Sequence, residues 1–187
     1  MLNKHRTGVT ICLLEQLSEK RIGKTSMQKL VYFLQEFGVD LNYKYEMYHY
    51  GPYCFELSND LDLLNMMNII SIEDNPTTYG YSIKLSNSVN GSYFSRNESC
   101  FESEAQHAWD NYKSGFEKLL KIFGECSTRD LELYATMHFV GRILRERGKV
   151  VDADDVIREV KFLKPKYSKD ELENAYQYLS ENLIVPL

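Results

Sequence analysis

The side chains best suited to chemistry in this chain are four histidines, four cysteines and a scatter of carboxylates. His49 adjoins Tyr50 and shortly precedes Cys54. A thiol and an imidazole make a nucleophile–base pair only when the fold brings thiolate and ring together, and closeness in sequence does not do that. His107 and Asp110 lie three apart in a helical pattern, so an exposed ion pair or cap is the expected use, with no third ligand or nucleophile beside them. No two of His5, His49, His107 and His138 have the helical i, i+4 spacing of a metal pair. Cys12, Cys54, Cys100 and Cys126 are too far apart to signal a zinc site. No glycine-rich phosphate loop and no serine elbow occurs. The reading is a non-catalytic chain with no cofactor and no metal.

The remaining chemistry is recognition, and it depends on elements that can present side chains. With 43% apolar and 26% charged residues in 187, the chain can bury a core. It holds 14 tyrosines and 9 phenylalanines, which fill cores or serve interfaces. Net charge is −5, and both halves are acidic: residues 1–90 carry 8 basic and 10 acidic side chains, residues 91–187 carry 14 and 17. That opposes bulk coating of nucleic acid. No signal peptide and no long apolar run appears, so a cytoplasmic chain with reduced thiols and no membrane partner is expected.

Val9, Cys12, Leu13 and Leu17 repeat at helical spacing, with Cys12 a small core residue. After Gly23 a second helix runs to about Glu36, with Met27, Leu30, Val31 and Leu34 on one face and Gly38 closing it. Residues 43–50 alternate as a short strand. Gly51-Pro52 is a turn that can open a helix, and Leu57, Leu61 and Leu64 form the third helical stripe. Two strands follow, at 69–72 and 81–85. Helix, helix, helix and hairpin is the order of a winged helix-turn-helix. A Ser/Asn-rich stretch then leads to long helices, one with Ala105, Trp109, Tyr112, Phe116, Leu119 and Phe123 on one face. Ser168 with Glu171 forms a capping box for the last helix. The expected fold is mainly α with a small β-hairpin: a winged-helix-like unit at 1–88, an exposed linker at 89–100, and a helical unit at 101–187. A faint echo between 61–70 and 176–185 is consistent with a second helix-turn-helix or with chance likeness of amphipathic helices.

In a winged helix the third helix reads DNA. Here it carries Glu56, Asp60 and Asp62 and no Lys or Arg between Cys54 and Met67, so phosphates would repel it. Basic residues cluster elsewhere. From 142 to 169 there are nine basic against five acidic side chains, among them Arg142, Arg145, Arg147, Lys164 and Lys166, which could track a backbone or form a solvated face.

Gln28-Lys29-Leu30-Val31-Tyr32, followed by Tyr50-Gly51-Pro52-Tyr53 and Leu57, resembles the YwgA-like family of prokaryotic proteins, which is related to the Panacea antitoxin domain that includes the SocA-type proteolytic adaptor. Weaker likeness lies at 130–136 and 164–168. Ser26-Met27 departs from the leading residues of the family pattern. The resemblance implies a winged-helix-related regulator without catalytic machinery. The expected function is regulatory and antitoxin-like, through a protein partner such as a basic toxin or a protease. Lys29 and Tyr32 share a helix face and are candidate partner contacts, as are Tyr50 and Tyr53 as aromatic anchors and Glu56, Asp60 and Asp62 as charges for a basic partner. The alternative is a winged-helix DNA-binding regulator, and a homo-oligomer is compatible with either.

Overall fold

The computed structural model describes residues 3–18, 20–75, 80–86, 95–148, 152–182 and 184, with backbone alone at 75 and 95–100. In chain order the elements are α1 (Lys4–Gln16), α2 (Lys24–Glu36), β1 (Glu46–Tyr48), β2 (Gly51–Tyr53), α3 (Phe55–Met66), β3 (Ile70–Asn75), β4 (Gly80–Leu85), α4 (Ser95–Phe123), α5 (Thr128–Glu146), α6 (Ala153–Leu163) and α7 (Lys169–Glu181). The protein is mainly helical with small antiparallel hairpins, β1–β2 and β3–β4. Among the described residues, no helix is long and apolar enough to cross a membrane.

The chain forms two compact units, and neither is one continuous stretch. The first comprises Met1–Tyr45 and Cys54–Gly124, the second Glu46–Tyr53 and Glu125–Leu187. This displaces the boundary expected at 89–100. Residues 95–100 are already helical, and α4 belongs with the first unit because it packs along α1 and α2. Small residues allow the closest approach: a Cβ on Gly8 would lie 2.5 Å from the Glu104 carbonyl oxygen. Helical backbone geometry breaks at Tyr112, where α4 kinks. The expected linker residues 89–94, Cys100 as a side chain, and the end of the sequence echo at 183 and 185 lie outside what is described.

Within the first unit α2 is buried from Ser26 to Leu34 on every side. Phe33 stacks on Phe123 of α4 with ring centroids 4.0 Å apart. A helix buried all round usually carries apolar residues throughout. This one carries Gln28, whose buried amide must find partners. It accepts from the Cys54 N–H and donates to the Cys54 carbonyl, both at 2.9 Å. Two turns on, Gln35 does the same for Tyr43, at 2.8 Å and 3.0 Å. Each side-chain amide thereby satisfies the N–H and the carbonyl of one residue, as a neighbouring antiparallel strand would. Cys54 is the N-cap of α3, so Gln28 fixes where α3 begins. The helix starts at Phe55, later than the expected opening at Pro52. Leu57, Leu61 and Leu64 turn inward as their spacing predicts. Ile83 of β4 donates its N–H to the Ile22 carbonyl at 2.7 Å, tying the β3–β4 hairpin to the α1–α2 connection.

The second unit begins with β1–β2, paired Glu46 to Tyr53 and Tyr48 to Gly51. The expected strand over 43–50 is therefore only three residues long, and the turn falls at His49-Tyr50, with Gly51-Pro52 inside β2. Gly51 has φ +86°, and a Cβ there would sit 2.4 Å from Thr136 Oγ1 of α5, so only glycine fits. Capping boxes start α5 (Ser127 with Asp130) and α7 (Ser168 with Glu171), the latter as its sequence predicts. Leu131, Met137 and Val140 of α5, Val156 and Val160 of α6, and Leu172 and Leu179 of α7 are buried.

Replacing Gln28 by leucine fills the same space but strands the Cys54 N–H and carbonyl. At about 1–3 kcal/mol for each buried unmatched group, Gln28→Leu lowers stability by about 2–6 kcal/mol, measured by the urea midpoint at unchanged slope.

Candidate functional site

The acidic helix α3 is built from the inside out. Gln28 sets its first turn, and its three leucines anchor it. Asn65 Oδ1 accepts from the Ile72 N–H at 2.9 Å, binding its last turn to β3. What remains outside is an apolar and acidic face. Phe55 is 56% exposed, Leu63 41% and Met66 78%. The carboxylates beside them are not bare. Glu56 meets Arg6 at 2.5 Å, and Asp62 meets Lys24 at 2.9 Å. Asp60 accepts from the Tyr43 hydroxyl at 2.8 Å, with the Arg6 guanidinium 3.8 Å away. Arg6 is further held by the carbonyls of Leu41 and Asn42 and lies over the Tyr43 ring. The expected set Glu56, Asp60 and Asp62 thus shares one helix, each member already matched by an intrachain cation or hydroxyl.

Lys29 and Tyr32 stand differently from the expectation of an open helix face. They are 1% and 0% exposed. Tyr32 packs its ring on Phe33 and Tyr45, at centroid distances of 5.3 Å and 5.1 Å. Burial on all sides of α2 withdraws both from any surface a partner could reach. Tyr50 is exposed and Tyr53 half-buried, but both belong to the second unit, whereas the α3 carboxylates belong to the first.

The basic candidates also separate. Arg145 and Arg147 are exposed at the end of α5. Arg142 is half-buried, over the Phe139 ring and 3.7 Å from Glu146. Lys164 is a correction: it is buried rather than a free phosphate contact. Its ammonium donates to Glu132 Oε1 at 2.8 Å and to the His49 carbonyl. Lys166 shares the same carboxylate at 3.1 Å and remains partly exposed. Burial pushes the Glu132 carboxyl up, but hydrogen bonds from Lys164 and Lys166 outweigh it and hold the group below its ordinary range.

Cys54 is buried in the first unit, its sulfur accepting the Leu57 N–H at 3.4 Å, and burial raises its thiol against those backbone bonds. His49 lies in the second unit, beside a shallow cleft of about 340 Å³ with Met47, Tyr48, Leu163 and the buried Lys164. Asp110 takes its bond from Gln106 at 2.8 Å, and His107 is exposed. Cys12 is a core residue, as its place on the apolar stripe implies, with burial pushing its thiol up to about 12. Among the described residues, no group of three or more His, Cys, Asp or Glu is placed to hold a metal ion.

Sequence reasoning missed Phe55, Leu63 and Met66. Their signal was present: they fall opposite Leu57, Leu61 and Leu64 on the same helical wheel. The pairing of Arg6 with Glu56 was not legible in the sequence, because the two lie 50 residues apart. No family model matches the chain, and no curated protein matches it.

Removing Lys164 leaves the buried Glu132 carboxylate with only the partly exposed Lys166, so Lys164→Met costs about 3 kcal/mol, while adding Glu132→Gln recovers part of that loss in a double-mutant cycle read by denaturant titration. His138 supplies a pH signature. Burial, aided by Arg142 and Arg145, lowers it to about 4. The unfolded imidazole, near 6.5, binds its proton first as pH falls, so stability declines from pH 6.5 toward 4. His138→Leu flattens that part of the profile.

Proposed function

We propose that this chain is a non-catalytic regulatory protein of the antitoxin or adaptor type that acts by binding a protein partner, with a winged-helix-like first unit. One observation carries the reading. The helix that would enter a DNA groove holds three carboxylates and no cation, and it turns Phe55, Leu63 and Met66 to solvent. Phosphates repel such a face, whereas apolar side chains ringed by polar ones suit a protein interface. The order α1, α2, α3 and the β3–β4 hairpin supports the winged-helix comparison. The likeness of the Gln28–Tyr32 and Tyr50–Leu57 segments to the YwgA-like and Panacea-related proteins supports a regulatory role. A basic toxin or a protease remains the partner class that the acidic helix favours.

Exposure of Arg145 and Arg147 favours the alternative, a DNA-binding regulator, which requires salt-dependent affinity weakened by neutralising those two. An affinity pull-down from native lysate, with and without nuclease, separates the readings. A stoichiometric protein that survives nuclease is the expected outcome. Recovered DNA, or loss of every partner on nuclease treatment, overturns it.

A further inference from the structure

Resting on the protein-binding reading above, we propose that the outward face of α3 is the docking face. Its occupant is a cationic amphipathic helix, apolar along one stripe and carrying Lys or Arg along both edges. An α-helix advances about 100° per residue. On that wheel Leu57, Leu61 and Leu64 make the buried stripe, while Phe55, Asn59, Leu63 and Met66 make the opposite one. Single exposed apolar residues are ordinary, but three on one face of one helix form a patch. From Phe55 to Met66 the stripe runs about 16 Å, which matches three turns of a partner helix with anchors at i, i+4 and i+7.

The edges decide the partner's charge. Asp62 borders the stripe on one side and Glu56 on the other, and each side chain is 55% exposed. Their intrachain cations are set back: the Arg6 side chain is 12% exposed and Lys24 35%. Negative charge therefore faces outward along both borders, and α3 itself holds no Lys, Arg or His. Cations on both edges of an incoming helix meet carboxylates while its apolar stripe covers Phe55, Leu63 and Met66. A second copy seated by its own α3 would set carboxylates against carboxylates. A nucleic acid would meet the same repulsion.

The test uses the full chain and two designed peptides of about 18 residues. One carries leucine on its inner stripe with lysine on both edges, and the other has glutamate in place of lysine. In calorimetry the lysine peptide binds, and the glutamate peptide binds about tenfold more weakly or worse. Met66→Asp weakens the lysine peptide by about tenfold or more with unchanged thermal unfolding. The double variant Glu56→Lys/Asp62→Lys reverses the preference between peptides. Equal binding of both peptides, or no effect of Met66→Asp, overturns the assignment. So does a dimer in light scattering that Met66→Asp dissolves. In the pull-down, a nuclease-resistant protein held equally by wild type and Met66→Asp overturns the α3 site while the protein-binding reading stands. Absence of any such protein from the wild type removes that reading itself.

Discussion

Two glutamine side chains on one buried helix hold this protein's organisation. Gln28 and Gln35 each grip both backbone polar groups of a single residue, Cys54 and Tyr43 respectively. Between those two points the chain leaves the first unit, makes the β1–β2 hairpin of the second, and returns. Clamping both ends to α2 gives the excursion a fixed departure and a fixed return. It also gives α3 its N-cap, and with it the rotation that turns three leucines inward and three apolar residues outward. A side-chain amide suits this use because it carries a donor and an acceptor in the geometry of a backbone peptide. Its burial makes the arrangement stringent, since a buried polar group left unmatched costs more than a matched one contributes.

Charge is managed by a similar rule of pairing. The acidic helix is tempered at its edges by Arg6 and Lys24, yet those cations are less exposed than the carboxylates they serve. In the second unit Glu132 is buried with Lys164, and Lys166 completes its coordination from a more open position. A buried pair of this kind adds little net stability but strongly disfavours arrangements that break it. It joins α5, the turn before α7 and the hairpin carbonyl of His49. Basic residues that look like a nucleic-acid track in the sequence therefore divide into exposed arginines and a lysine spent on the fold.

How legible this was in the sequence depended on the range of the interaction. Helical stripes are local, so α1, α2, α3 and the later helices could be read from repeats of three and four. Gly38 closing α2 and Ser168–Glu171 opening α7 are also local, and both hold. Three-residue strands such as β1 and β2 carry too few positions for a period to show, so the sequence points to a turn at Gly51-Pro52 whereas the chain turns at His49-Tyr50. Lys29 and Lys164 look solvated in a linear reading, because nothing local announces a buried lysine. The partner of Lys164 on α5 lies 32 residues away. The division into units was hidden for the same reason: α4 belongs with α1, far upstream, and not with the helices that follow it. The outward stripe of α3 is local too, and Phe55, Leu63 and Met66 show it on the helical wheel.

The interleaving of the two units bears on how the protein is made. A ribosome synthesises from the N-terminus, and His49 emerges 115 residues ahead of the lysine whose ammonium its carbonyl receives. At about 5–20 residues per second, that is roughly 6–23 seconds of waiting. During that interval the α2 glutamines and the segment they hold are already outside the exit tunnel, while α5 and α6 do not yet exist. The hairpin is thus tethered at both ends before it has a surface to fold upon, and its freedom to mispair is limited to a short loop. In the order of synthesis the residues that clamp the hairpin's ends therefore precede the helices on which it packs.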